Sequence, residues 1–168
     1  MKCLENNIER RLIGLNYIVS EKSREKADGI VKLHELLNDL YDDEEVKHLV
    51  KNLSETRKNG VYDAIYIQDY IWKICQIGYD ELRLSFINYK VNPLLIKANF
   101  KLSEVCNMLK EQPTLMEELN DNGKAIRYSA LLCIRNSVKI SIIDGNHRAI
   151  VLYCRGITEL FCYIGFKQ

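Results

Sequence analysis

The polar groups best placed to do chemistry lie in five consecutive residues near the C-terminus, Asp144-Gly145-Asn146-His147-Arg148. They bring a carboxylate, an amide, an imidazole and a guanidinium together between a β-branched apolar run and a second apolar segment that ends at Gly156. This pattern is typical of a strand, a tight turn and a helix. Since the first N–H groups of a helix have no partner within it, such a junction favours an anion. The stretch therefore predicts a site for phosphate or another anion.

Each residue of this stretch has a candidate role. Gly145 permits a positive φ or the close approach of a ligand to the backbone, and Asn146 is the predicted N-cap of the helix. His147 and Arg148 then fall in the first helical turn, where a cation costs about 0.3–1 kcal/mol against the helix dipole unless an anion is bound. Asp144 could bind a metal ion, orient His147 or accept a proton. The alternative is an ordinary turn in which Arg148 pairs with a neighbouring acid.

Helical spacing of apolar residues dominates the N-terminal half of the chain. It predicts helices in four segments, at residues 8–18, 30–40, 46–53 and 61–77. The fourth segment is rich in aromatic residues, which we interpret as core packing, with a platform for stacking bases as the alternative. The basic pairs Arg10-Arg11 and Arg57-Lys58 lie among acids, and we interpret them as solvated helix faces.

Beyond residue 80 the pattern becomes mixed. Alternation of apolar and polar residues predicts a strand over 82–86, which Pro93 bends or ends. Further along, the sequence predicts helices at 102–110, 114–122 and 146–154 and strands at 129–134, 138–143 and 159–166. We therefore expect an α+β fold, with a helical extension over residues 1–79 and an α/β domain over residues 80–168.

The order strand, Asp144-Gly145-Asn146-His147-Arg148, helix, Gly156, strand resembles the signature of the ParB/sulfiredoxin superfamily. Upstream, residues 86–93 resemble the entry strand and Asn-Pro segment of ParB-type domains, and residues 102–110 are similar to their first helix. The predicted hairpin over 129–143 leads into the motif in the same order. The resemblance covers about residues 80 to 168 and implies a ParB/sulfiredoxin-like mixed sheet with helices.

Members of this family bind nucleotides for different purposes, which include ATP-dependent repair of a sulfinic acid, CTP-dependent clamping on DNA and ADP-dependent phosphorylation of serine. The resemblance implies phosphate contacts at Gly145, Asn146, His147 and Arg148. It also implies that Asp144 lies near the reacting group or a Mg²⁺ ion. Asp144 and His147 are then the candidate catalytic residues of a nucleotide-dependent phosphotransferase or nucleotide hydrolase, and ATP, ADP or CTP is the candidate ligand.

Some residues separate this chain from particular members of the family. Asn146 stands where sulfiredoxins carry their catalytic cysteine, and the Arg-rich second box of ParB proteins is missing. Glu104 is the nearest match to the early catalytic acid of the serine kinases, but a first-turn residue that complements a helix dipole explains it better. Two alternative functions stay open. One is a non-catalytic interaction or regulatory module that binds a protein through residues 1–79, and the other is a DNA-processing protein.

Composition limits the partners and the compartment. The chain of 168 residues is 47% hydrophobic and 28% charged, as globular proteins are, and its net charge of +1 disfavours general attraction to nucleic acid. No run reaches the ~20 apolar residues of a membrane helix, and the charged N-terminus does not suit a signal peptide. The six cysteines lie mostly in apolar runs without metal-ligand spacing. We therefore expect a cytoplasmic protein with free thiols and no membrane segment.

Overall fold

A computed structural model describes residues 1–22, 41–85, 91–121 and 130–167. It has the predicted α+β architecture, in which helices pack on both faces of one mixed, six-stranded sheet. The strands are β1 (Lys2–Asn6), β2 (Tyr70–Gly78), β3 (Leu82–Arg83), β4 (Leu131–Asn136), β5 (Lys139–Asp144) and β6 (Glu159–Lys167). They lie in the order β1-β2-β6-β4-β5-β3. The pairs β6–β4 and β5–β3 are parallel, and the other neighbours are antiparallel.

The helices flank this sheet in two groups. The described ones are α1 (Arg10–Lys22), α2 (Asp43–Arg57), α3 (Asn92–Lys97), α4 (Leu102–Lys110), α5 (Pro113–Asp121) and α6 (Asn146–Cys154). A π-helical turn spans Asp63–Ile67, and a 3-10 turn spans Tyr79–Glu81. Helix α2 begins at a capping box, in which Asp42 accepts from the Glu45 N–H at 2.9 Å and Glu45 accepts from the Asp42 N–H at 2.9 Å.

The alternating side chains of the strands divide the interior into two cores. On β4, Leu131 and Cys133 face a core shared with α3 to α6, whereas Leu132 faces a second core shared with α1 and α2. Strand β2 divides in the same way, since Trp72 belongs to the second core and Cys75 to the first. Because successive side chains of a strand point to opposite faces of the sheet, the position of a residue in its strand determines which group of helices it contacts.

The expectation of a helical extension over residues 1–79 is wrong for two segments of the chain. Residues 2–6 and 70–78 form β1 and β2, and β2 pairs with β6 along its whole length. The apolar residues of 61–77 satisfy helical spacing, but β-branched and aromatic side chains dominate the segment and also fit a strand that is buried on both faces. The sheet consequently runs across the boundary expected at residues 79 and 80.

The other local predictions hold to within a few residues. Helices at 102–110 and 146–154 occur with the expected bounds, and the closing strand over 159–166 is one residue longer. The hairpin is shifted, because its strands run over 131–136 and 139–144. The helix expected at 30–40, the helix stop near Gly123 and the residues 86–90 of the entry strand lie outside the described residues.

The expectation of free thiols is wrong for two cysteines. Cys3 on β1 and Cys75 on β2 face each other across the strand pair and form a disulfide. Their separation of 72 residues in the chain hides this proximity from the sequence. Cys106, Cys133, Cys154 and Cys162 are free. Within the described parts of the chain, no helix combines the length and the apolar character that crossing a membrane requires.

Candidate functional site

The motif forms the turn between β5 and α6. Asp144 is the last residue of β5, Gly145 has a φ of +98°, and Asn146 is the first residue of the helix. The glycine is required for two reasons, because a Cβ there would lie 2.5 Å from Leu131 Cδ2 and because L side chains rarely adopt this φ. The N-cap predicted at Asn146 is wrong, since Gly145 occupies the N-cap position.

The side chain of Asn146 connects the motif to the segment that follows β3. Its Oδ1 accepts from the Ser85 backbone N–H at 2.9 Å, and its Nδ2 donates to Ser85 Oγ at 2.7 Å. Since the side-chain amide of asparagine both donates and accepts hydrogen bonds, Asn146 pairs with the backbone N–H and with the hydroxyl of Ser85 at the same time. Asn146 therefore holds two distant parts of the chain together beside the helix N-terminus.

Asp144 and Arg148 form a buried ion pair behind this turn. The Arg148 Nη2 lies 3.1 Å from Asp144 Oδ2, and each side chain is only 5% exposed. Ser20 of α1 bridges the pair, because its Oγ donates to Asp144 at 3.2 Å and accepts from Arg148 at 2.9 Å. Arg148 also donates to the Ala130 carbonyl at 3.4 Å. This geometry favours the alternative in which Arg148 pairs with a neighbouring acid over a direct phosphate contact.

A cleft of about 520 Å³ opens at the β5–α6 junction. The motif contributes Asp144, Gly145, Asn146 and His147 to its lining, and Ser85 lies beside them. The His147 side chain is half-buried here. The volume falls within the range of about 300–1,000 Å³ that is usual for small-molecule sites.

The rest of the lining comes from α1, from the end of α2 and from β5. Glu21 of α1 is 2% exposed, and its Oε2 lies 2.6 Å from Arg57 Nε. Lys58 caps α2 in the left-handed region at a φ of +53°. Asn59 follows it and donates to the Tyr17 hydroxyl at 2.9 Å, which fixes this corner against α1. The N-terminal region is therefore part of the site.

Sequence reasoning missed this part of the cleft. Arg57 and Lys58 are exposed at the end of α2, as expected, but they also line the cleft, and Glu21 carried no signal at all. More than 80 residues separate them from the motif, so local spacing could not reveal the contact. The helix stop near Asn59 and Gly60 was the single local sign that the chain turns here. Glu104 pairs instead with Lys101 at 2.7 Å, as a helix-start residue can.

The lining of the cleft combines both signs of charge. Glu21 and Asp144 bring carboxylates, each engaged by an arginine, while Lys58 and His147 add further basic groups. Among the residues that the structure describes, no group of three or more His, Cys, Asp and Glu side chains is arranged to hold a metal ion.

No family model matches this chain, and no match is found among curated proteins or among solved structures. The α+β class thus follows from the structure itself. The resemblance to the ParB/sulfiredoxin superfamily stays a prediction from the motif and from the order of the elements around it.

Proposed function

We propose that the cleft binds the phosphate groups of a nucleotide at the N-terminus of α6. The observation that carries this proposal is the position of the cleft, whose lining includes Gly145, Asn146 and His147 at the helix start and Lys58 at the end of α2. Helix N-termini attract anions through their dipole and their outward N–H groups. Gly145 allows the left-handed turn with which this helix begins, and the residues at the helix start line the cleft.

The two cationic residues of the motif have different roles in this proposal. His147 faces the cleft and is the candidate for contact with a phosphate or for proton transfer. Arg148 instead orients Asp144 through their buried ion pair and through Ser20. The family resemblance implies a phosphate contact at Arg148, and we assign a positioning role to this residue instead. The implied phosphate contacts at Gly145, Asn146 and His147 remain part of the proposal.

Mg²⁺ fits this proposal only together with the nucleotide. Mg²⁺ is usually held by one or two carboxylates plus phosphate oxygens and water, rather than by a complete protein cage. Asp144 and Glu21 are the carboxylates that line the cleft. If the protein is an enzyme, the reaction is phosphoryl transfer or nucleotide hydrolysis, in which positioning and charge neutralisation do most of the work.

The test is a thermal-shift series with ATP, ADP, CTP and GTP, each with and without Mg²⁺. A nucleotide at 100 times its Kd should stabilise the protein by about 2.7 kcal/mol. Lys58→Gln should weaken binding about fivefold, which corresponds to roughly 1 kcal/mol for one charge-assisted contact. Lys51→Gln is the matched control, because it removes the same charge from an exposed position of α2 outside the cleft.

The proposal fails if none of the nucleotides raises the melting temperature, or if Lys58→Gln and Lys51→Gln bind equally well. Release of inorganic phosphate from a bound nucleotide then separates an enzyme from a binding module. Loss of that release in His147→Gln, with binding retained, would assign His147 to the chemistry. Binding without turnover would favour the regulatory module, and salt-sensitive retention of DNA would favour the DNA-processing alternative.

A further inference from the structure

Three cysteines that are distant in the sequence form a row across the sheet. Cys3 on β1 is the register partner of Cys75 on β2, and Cys75 is the register partner of Cys162 on β6. Cys3 and Cys75 form the disulfide, whereas Cys162 is a free thiol. A free thiol therefore stands next to a disulfide on the neighbouring strand.

The register also determines the side from which the Cys162 thiol would approach the sulfur of Cys75. Residues directly opposite each other in an antiparallel pair point to the same face, with Cβ atoms about 4.5–5.5 Å apart. Cys75 and Cys162 both belong to the core beneath α4 and α6. Cys162 lies on one side of Cys75 and Cys3 lies on the other. This is the arrangement for a thiolate that attacks one sulfur while the second sulfur leaves on the far side.

We propose that Cys162 exchanges with the Cys3–Cys75 disulfide and releases Cys3 as a reactive surface thiol. The Cys162 thiolate forms a bond to Cys75 Sγ, and the bond between Cys75 and Cys3 breaks. Cys3 leaves as a thiolate and takes up the proton that Cys162 has lost. The exchange needs no oxidant or reductant, because one disulfide and one thiol are present before and after it.

The two forms differ in what they present to solvent. Cys3 is exposed on the edge strand, whereas Cys75 and Cys162 are completely buried. With the disulfide at Cys3–Cys75, the row presents no thiol to the surface. After exchange, the disulfide is buried and Cys3 is available to soft electrophiles and to the disulfides of other molecules. The row is thus a thiol-reactive site that is separate from the nucleotide cleft.

Cys133 provides the matched comparison. It lies one strand further, on β4, within hydrogen-bonding reach of Cys162. The β4 residue directly opposite Cys162 is Leu131, so Cys133 is a diagonal neighbour of Cys162 and is two strands away from Cys75. The register therefore places Cys133 away from the Cys3–Cys75 disulfide, which makes it the control for Cys162.

The test measures alkylation of Cys3 over time in protein purified without reductant. Wild-type protein is incubated with N-ethylmaleimide at pH 8, digested without reduction and analysed by mass spectrometry. We expect alkylated Cys3 to accumulate together with a peptide pair linked through Cys75 and Cys162. In Cys162→Ala the Cys3–Cys75 link should persist, and alkylation of Cys3 should be at least about tenfold slower. Cys133→Ala should behave as the wild type does.

Three results would overturn the proposal. The first is equal alkylation of Cys3 in wild type and in Cys162→Ala, which would point to opening that does not involve Cys162. The second is wild-type protein that never yields the Cys75–Cys162 link. The third is the absence of the Cys3–Cys75 link at the start. If Cys162→Ala does not fold, as judged by circular dichroism, Cys162→Val replaces it and the linked peptide of the wild type remains decisive.

Discussion

Replacing Arg148 with alanine distinguishes a structural arginine from a ligand-binding one. The guanidinium lies 3.1 Å from Asp144, and both side chains are 95% removed from solvent. Arg148→Ala would leave the Asp144 carboxylate buried without the guanidinium that compensates its charge, while the Ser20 hydroxyl still donates to it. We therefore expect a large loss of folding stability even when no ligand is present.

The magnitude follows from the burial of the pair. Removing one partner of a buried ion pair costs about 3–5 kcal/mol, because the other charge remains in a poorly solvated place. At about 2–4 °C per kcal/mol for a chain of this size, the melting temperature should fall by roughly 6–20 °C. An exposed pair gives less than about 1 kcal/mol. The pair of Lys47 with Glu44, whose side chains are 40% and 82% exposed, is the exposed counterpart.

The assay is urea unfolding of the ligand-free protein at pH 7, with Lys47→Ala as the control. The double variant Asp144→Leu with Arg148→Met should recover at least about 1 kcal/mol relative to Arg148→Ala, because it removes the unpaired charge as well. If Arg148→Ala loses less than about 1 kcal/mol, the pair does not stabilise the fold in the way its burial indicates. A direct role for Arg148 in ligand binding would then be the better explanation.

Two further predictions concern the turn and the buried thiols. Gly145→Ala should lower the free energy of unfolding by about 2–4 kcal/mol, because of the left-handed φ and the contact of the new Cβ with Leu131. Gly156→Ala should lower it by only about 1–2 kcal/mol, since Gly156 has a similar φ of +78° but its Cβ would meet nothing within 4 Å. Equal losses of the two variants in urea unfolding would contradict this. Burial raises the pKa of Cys106 and of Cys133. Above about pH 8.5 the unfolded state therefore binds fewer protons than the folded state, so the free energy of unfolding should fall as pH rises. Melting curves recorded with reductant at pH 7.5 and 9.5 measure this, and a higher melting temperature at pH 9.5 would refute it.

Local signals were sufficient for the helix that carries the motif. Gly145 and Gly156 bracket an apolar segment, and the helix between them has the bounds that the sequence predicts. The N-cap was misplaced by one residue, because an asparagine and a glycine both suit that position and only the contact with Ser85 decides between them.

Long-range pairing decided the elements that the sequence left ambiguous. Residues 70–78 could satisfy a helix or a buried strand by their apolar pattern, and the ladder with β6 selects the strand. Cys3, Cys75 and Cys162 were expected to be free thiols, since nothing in the spacing of these cysteines indicates the register that aligns them.

The sequence by itself determined the class of the fold and the strand–turn–helix junction around Gly145, because capping, turn chemistry and periodicity act over a few residues. Only the tertiary structure decided what faces that junction. It brings Glu21, Arg57 and Lys58 to the cleft and pairs Arg148 with Asp144 inside the protein. The physical reason is that burial and the pairing of charges depend on which distant segments pack together, and a linear pattern does not contain that information.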